Sequence, residues 1–159
     1  MIVLGVDPGS HATGYGVIAT GPVVRMLGGG VIRAGKGAPL SERLLDIHTE
    51  LVAVIDRFNP TEMAVEDLFN AKNARSSLIL GHARGVILLA GSAAGLAVAE
   101  YAPREIKKAL TGNGAATKEQ VRFMVMRLLC LKDSPALDQS DALAAALAHA
   151  GRSRFSGLA

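Results

Sequence analysis

Three β-rich runs crowd the first 34 residues, and the links between them are too short to hold a crossover. Ile2 to Val6 is an apolar run that ends in Asp7-Pro8-Gly9, which reads as a strand entering a turn. Thr13 to Thr20 is a second run, and Gly21-Pro22 turns it into a third, Val23 to Ala34. Parallel neighbours need a crossover of about a dozen residues or more, so these three strands are expected to be antiparallel. Helices and strands then alternate. Leu40, Leu44, Ile47, Leu51, Val54 and Phe58 recur at helical spacing, and Asn59-Pro60 stops that helix. Glu62 to Leu68 reads as a strand, 72–94 as a long helix and Leu96 to Tyr101 as a strand. Pro103 opens a short basic helix that Gly112-Asn113-Gly114 breaks. Thr117-Lys118-Glu119-Gln120 is a capping box for a helix running to Leu131, and Asp138 to Ala150 forms the last helix. The order predicts an α/β fold with a mixed five-stranded sheet, three antiparallel strands then two parallel, flanked by helices. We expect one domain over 1–150 and a disordered tail over 151–159.

Composition narrows the class. Of 159 residues, 50% are hydrophobic and 19% charged, which excludes a disordered chain or a heptad rod. The single Cys130 excludes a disulfide framework and a cysteine-rich zinc site; its apolar neighbours, Met126 to Leu131, predict a buried, reduced thiol. Four Phe, two Tyr and no Trp are too few for a sheet that binds single strands by base stacking. The N-terminus lacks a basic leader, and the longest uncharged apolar stretch, Gly85 to Ala99, falls short of the roughly 20 residues a span needs. A soluble, cytoplasmic protein without a membrane partner is expected. The net charge of +3 hides an uneven distribution: −3 over residues 1–70, +7 over 71–132 and −1 over 133–159. A basic block suits either a solvated face or a polyanion.

Four carboxylates stand where packing alone would not put them. Asp7 ends an apolar strand, at the kind of position where open α/β sheets bind ligands; an Asx turn with Gly9 and Ser10 is the plainer reading. Glu66 ends the Met63-Ala64-Val65 strand, and alternation sends its neighbour Asp67 to the opposite side. Asp138 and Asp141 sit three apart at the start of the last helix, hence on one face, where Asp138 as N-cap and Asp141 in the first turn would also stabilise the helix dipole. Four acids side by side cannot all stay ionised without a cation, and Mg²⁺ or Mn²⁺ prefers oxygen ligands. Two such ions about 4 Å apart suit in-line displacement at a phosphodiester. His11, His48, His82 and His149 are isolated along the chain and read as surface or capping residues.

These residues resemble a known family. Gly5-Val6-Asp7-Pro8-Gly9-Ser10 and Thr13-Gly14-Tyr15-Gly16-Val17-Ile18 are similar to the opening of RuvC-type Holliday junction resolvases. So are Val65-Glu66 with Phe69, Ala71-Lys72-Asn73-Ala74, Leu80-Gly81, Ala83-Arg84-Gly85, the 103–121 segment with Lys107 and Lys118, and Asp138-Gln139-Ser140-Asp141-Ala142-Leu143. The likeness spans about residues 2–150. It implies an RNase H-like fold, a homodimer and symmetric Mg²⁺-dependent nicking of four-way DNA junctions; from the acid cluster we expect two Mg²⁺ ions per site, with Mn²⁺ able to substitute. By the same likeness Asp7, Glu66, Asp138 and Asp141 are the metal-binding catalytic acids, Lys107 and Lys118 sit at the scissile phosphate or the DNA backbone, and Phe69 lies beside unstacked bases. It further implies a branch-migration complex of the RuvA and RuvB type as partner. The basic block adds Lys72, Arg75, Lys108 and Arg122 as candidate DNA contacts. Asp67 departs from the family, which usually has a neutral residue there, and is expected to add negative charge near the DNA path.

Two rivals are set aside on stated grounds. A nucleotide-binding phosphotransferase of the sugar-kinase and actin class needs a second domain, and Ala34-Gly35-Lys36-Gly37 lacks the Walker spacing. A non-catalytic junction-binding module has no use for four acids that repel DNA.

Overall fold

The computed structural model describes residues 1–67 and 73–156. Its elements are β1 (Ile2–Asp7), β2 (Ala12–Ala19), β3 (Arg25–Arg33), α1 (Leu40–Phe58), β4 (Glu62–Glu66), α2 (Ala74–Ala93), β5 (Ala97–Tyr101), α3 (Pro103–Thr111), α4 (Lys118–Leu128) and α5 (Leu137–Ser156). The sheet runs β3-β2-β1-β4-β5. β1–β2 and β2–β3 are antiparallel, while β1–β4 and β4–β5 are parallel, as the connection lengths required.

The sheet separates two apolar cores. On one side Leu4, Val6, Met63 and Val65 pack with Ile47 and Leu51 of α1 and Ile87 of α2. On the other, Val3, Ile18 and Ala64 meet α5, with α3 and α4 outside it. α5 contributes mostly alanine: Ala142, Ala144, Ala145, Ala146, Ala148 and Ala150 are each 3% exposed or less. It can lie close because the strands beneath it carry glycines. A Cβ on Gly5 would stand 2.0 Å from the Ala142 carbonyl oxygen, and one on Gly14 would stand 1.9 Å from that of Asp138. Glycine in a strand interior costs backbone entropy and is retained where another backbone approaches.

Four local expectations change. α4 ends at Leu128 rather than Leu131. Leu129 turns into the core, and Cys130 takes a left-handed φ of 51° and is exposed, not buried. α5 begins at Leu137, one residue early, so Asp138 lies inside the first turn and is not its N-cap. α5 also continues past Ala150 to Ser156; residues 157–159 lie outside the described ones. The capping box at α4 forms as read: Gln120 N–H donates to Thr117 Oγ1 at 3.2 Å, and Thr117 N–H to Gln120 Oε1 at 2.9 Å.

α2 is long and apolar enough to cross a membrane by length and composition. Here it lies on the sheet, with Ala83, Ile87 and Ala90 buried beneath it.

Candidate active site

Sheet register brings the first two acids together. β1 and β4 run parallel with Val6 opposite Val65, so Asp7 and Glu66 come next at the same end of neighbouring strands. The turn after Asp7 is tied down from two sides. Thr13 Oγ1 donates to the Gly9 carbonyl at 2.8 Å. Arg43, buried on α1, donates through Nε at 3.1 Å and through Nη2 to the Ser10 carbonyl. Across β2, the bare Cα of Gly14 lets the first turn of α5 settle on the sheet. Asp138 and Asp141 share one face of that turn. All four carboxylates line one cleft of about 350 Å³, together with Lys107 of α3 and Lys118 of α4.

The cleft is short of positive charge. Burial, followed by the carboxylates of Glu66, Asp141 and Asp138, pushes the Asp7 carboxyl up to about 8 from an ordinary 3.8, against a lowering pull from Lys118. Burial and then Asp141 raise Glu66 to about 7, while Lys118, a hydrogen bond with Asp7 and Lys107 pull it down. The two acids titrate as a pair, sharing a proton near neutral pH. Lys118 Nζ stands 2.8 Å from Asp141 Oδ2, and that contact holds the ammonium above its ordinary value. One lysine therefore occupies the place a cation would take beside Asp141. Among the described residues no three carboxylate, imidazole or thiol groups stand together closely enough to hold a metal ion as they are placed. The donor set still fits a hard divalent ion: oxygens alone, held on three rigid elements, with uncompensated charge.

Other expected contacts fall elsewhere. Arg75 is exposed in the first turn of α2, and Lys108 is exposed on α3 beside Arg104 and Gly112–Gly114, outside the acid cleft. Arg122 donates through Nη2 to the Pro135 carbonyl at 2.7 Å, which ties α4 to the loop entering α5. Phe69 and Lys72 lie outside the described residues.

Asp67 and His149 have partners that neighbouring residues do not reveal, and for His149 the reading is corrected. Asp67 faces away from Glu66, as alternation required, and is 3.0 Å from Arg84 Nη2, which also pairs with Glu100. That ion pair lies on the α2 side of the sheet, away from the cleft. His149 is no surface residue: it is buried, with Nδ1 2.7 Å from the Tyr101 hydroxyl and Nε2 bonded to Glu62. The residues that sequence reasoning missed are therefore Arg43, Gly14 and this His149 group. For Gly14 a signal existed, since Gly14 and Gly16 alternate on one face of a strand.

Comparison with known proteins settles the family. Residues 3–149 match the family model for RuvC, crossover junction endodeoxyribonuclease. The chain belongs to the RuvC family. A RuvC relative from Stutzerimonas stutzeri (strain A1501) is 48% identical over 150 residues, covering 94% of this chain and 86% of the relative. One from Halorhodospira halophila (strain DSM 244 / SL1) is 50% identical over 148 residues, covering 93% and 89%. The solved structure of T. thermophilus RuvC in complex with Holliday junction substrate superposes with a TM-score of 0.92 at 39% identity, covering 98% of this chain and 96% of that one. The fold is accordingly RNase H-like, and the chain is a nuclease of the RuvC class, a hydrolase of DNA phosphodiester bonds that depends on a metal.

Proposed function

We propose that this RuvC-family enzyme resolves four-way DNA junctions by nicking two strands symmetrically, as one domain over residues 1–150. Asp7, Glu66, Asp138 and Asp141 would hold two Mg²⁺ ions, with Mn²⁺ able to substitute. The observation that carries the reading is the meeting of four carboxylates from β1, β4 and α5 with two lysines in one cleft. Bound divalent ions supply Lewis-acid stabilisation of the phosphoryl oxygens and a lowered pKa for water. The protein's own groups do the rest. β1, β4 and α5 hold the acids in place before substrate arrives, so the four carboxylates need little reorganisation at the moment of reaction. Lys118, whose side chain is 63% exposed, has the reach to leave Asp141 for a phosphate oxygen, with Lys107 beside it.

Exposed Arg75 and Lys108 are placed to meet backbone phosphates. Phe69 and Lys72 join them on the family likeness alone, as does a branch-migration complex of the RuvA and RuvB type. Arg122, committed to Pro135, instead supports the loop before α5. A DNA-acting enzyme of this family fits the bacterial cytoplasm.

The test is nicking of a synthetic four-way junction in Mg²⁺, with linear duplex of the same sequence as control. Junction-selective, metal-dependent cuts on two opposing strands are expected. Binding without cuts would leave the non-catalytic module, and turnover of nucleotide without cuts would leave the phosphotransferase.

The outer face of α2 supports a homodimer. Leu78 and Leu89 lie eleven positions apart, about three turns, and are 64% and 62% exposed on one stripe with His82 and Gly85. A Cβ at Gly81 or Gly85 would meet nothing within 4 Å, so this stripe is flat enough for close approach of a second helix. Two equivalent strands at a junction call for a two-fold enzyme. Leu89→Asp is expected to give a monomer in sedimentation while leaving the fold unchanged by circular dichroism, and paired nicking should fall at least about tenfold. A dimer that persists would put the interface elsewhere.

A further inference from the structure

The inner face of α5 is mostly small side chains, with Leu143 and Leu147 buried among them, and it is seated near its start by Leu143 over Gly16 and Ala142 over Gly5. A second fixed point further along would complete its position along its own axis. Asp138 and Asp141 sit at one end of this helix, and their spacing from Glu66 depends on that axial position.

The far end of the helix carries a polar tie. His149 follows Asp141 by eight positions, about 12 Å along the axis. It bonds to Tyr101 at the end of β5 and to Glu62 at the start of β4. Both partners lead back to Glu66. Glu62 lies on the same strand and the same face as Glu66, and Tyr101 pairs with Glu66 across β4–β5. The path from Glu66 through β4, Glu62, His149 and α5 to Asp141 is thus a closed frame. The chemistry of the three groups is matched: the carboxylate only accepts, so Nε2–H donates to it, which leaves Nδ1 to accept the Tyr101 hydroxyl. A buried polar link of this kind is best attested as a device that selects one register among apolar alternatives.

We propose that Tyr101, His149 and Glu62 are positioning residues for the metal site, setting the axial place of α5 and with it the spacing between Glu66 and the Asp138/Asp141 pair. The proposal rests on the reading of these four acids as metal ligands.

Calorimetric titration of the DNA-free protein with Mn²⁺ tests it. Tyr101→Phe and Glu62→Ala should each weaken Mn²⁺ binding at least fivefold, while Glu62→Gln, which keeps an acceptor for His149, should return it to within twofold of the wild type. Val54→Ala, which removes core volume on the opposite side of the sheet, controls for lost stability: it should lower Tm by a similar amount and leave Mn²⁺ affinity unchanged. Tyr101→Phe removes a single hydroxyl and carries the test if Glu62→Ala does not fold. If the variants lose Tm yet bind Mn²⁺ as the wild type does, the tie is structural only and the proposal is overturned. If the wild type itself binds no Mn²⁺, the reading of the acids fails and takes the proposal with it.

Discussion

Asp7→Asn is expected to lower junction cleavage in Mg²⁺ by roughly 10³-fold or more while junction binding persists. Asn keeps the shape and one acceptor oxygen but brings no charge to the centre of the cleft. The same substitution should stabilise the metal-free protein at alkaline pH. In the folded chain the Asp7 carboxyl is held near 8, against 3.8 ordinarily. Between those values the native state binds a proton that the unfolded chain has released, so stability falls as pH rises through that window. The full contribution is present below about pH 4 and is lost above about pH 8. Asn is neutral throughout and escapes the loss. Because the proton is shared with Glu66, the gain is set well below the full shift, at about 1 kcal/mol or more, or roughly 2–4 °C in Tm at pH 8.5 without metal, shrinking toward pH 5. Cleavage at the wild-type rate would remove Asp7 from the site. An unchanged Tm across the pH series would show that its charge is already compensated.

Gly14→Ala should do more damage than its single methyl group suggests. The new Cβ would meet the Asp138 carbonyl oxygen at 1.9 Å, and backbone cannot swing aside as a side chain does. The first turn of α5 must lift, carrying Asp138 and Asp141 with it. Overpacking against backbone is expected to cost about 2–3 kcal/mol, or a fall in Tm of roughly 4–12 °C. Displacing catalytic groups by about 1 Å costs on the order of 10²-fold in rate, so cleavage should fall further than the loss of folded protein explains. Assays well below the variant's Tm separate the two effects. Wild-type specific activity in a destabilised Gly14→Ala would mean that α5 holds its acids independently of its seat on β2.

What could be read along the chain, and what could not, follows from the range of the interactions. Strand directions were legible because connection lengths are local facts, and Asp7, Glu66, Asp138 and Asp141 stood out because charge at the end of an apolar run is a local anomaly. His149 looked isolated because its partners are 48 and 87 residues away, and no spacing rule links a helical histidine to two strands at that separation. The ion partner of Asp67, Arg84, arrives on another element and could not be read from its neighbours. Cys130 was misread for the opposite reason. Its apolar neighbours pointed to the core, but the helix ends two residues before it, and the chain reverses its facing there. The basic block is likewise less uniform than its sum: Arg84, Arg122 and Lys118 are each committed to groups within the protein.

The sheet that divides the two cores also divides the enzyme's obligations. Side chains that shape the cutting centre answer to one face, and those that would meet a second copy answer to the other. Substitutions on either side can therefore accumulate with little correction from the opposite one, and the two surfaces are free to diverge at different rates. Two places among the described residues break this division: Arg43 reaches from α1 to the turn after Asp7, and the consecutive Glu66 and Asp67 serve opposite faces, one lining the cleft and the other tethered to α2. Those links are where a change in pairing between subunits would be felt by the chemistry, and where independent drift of the two faces must stop.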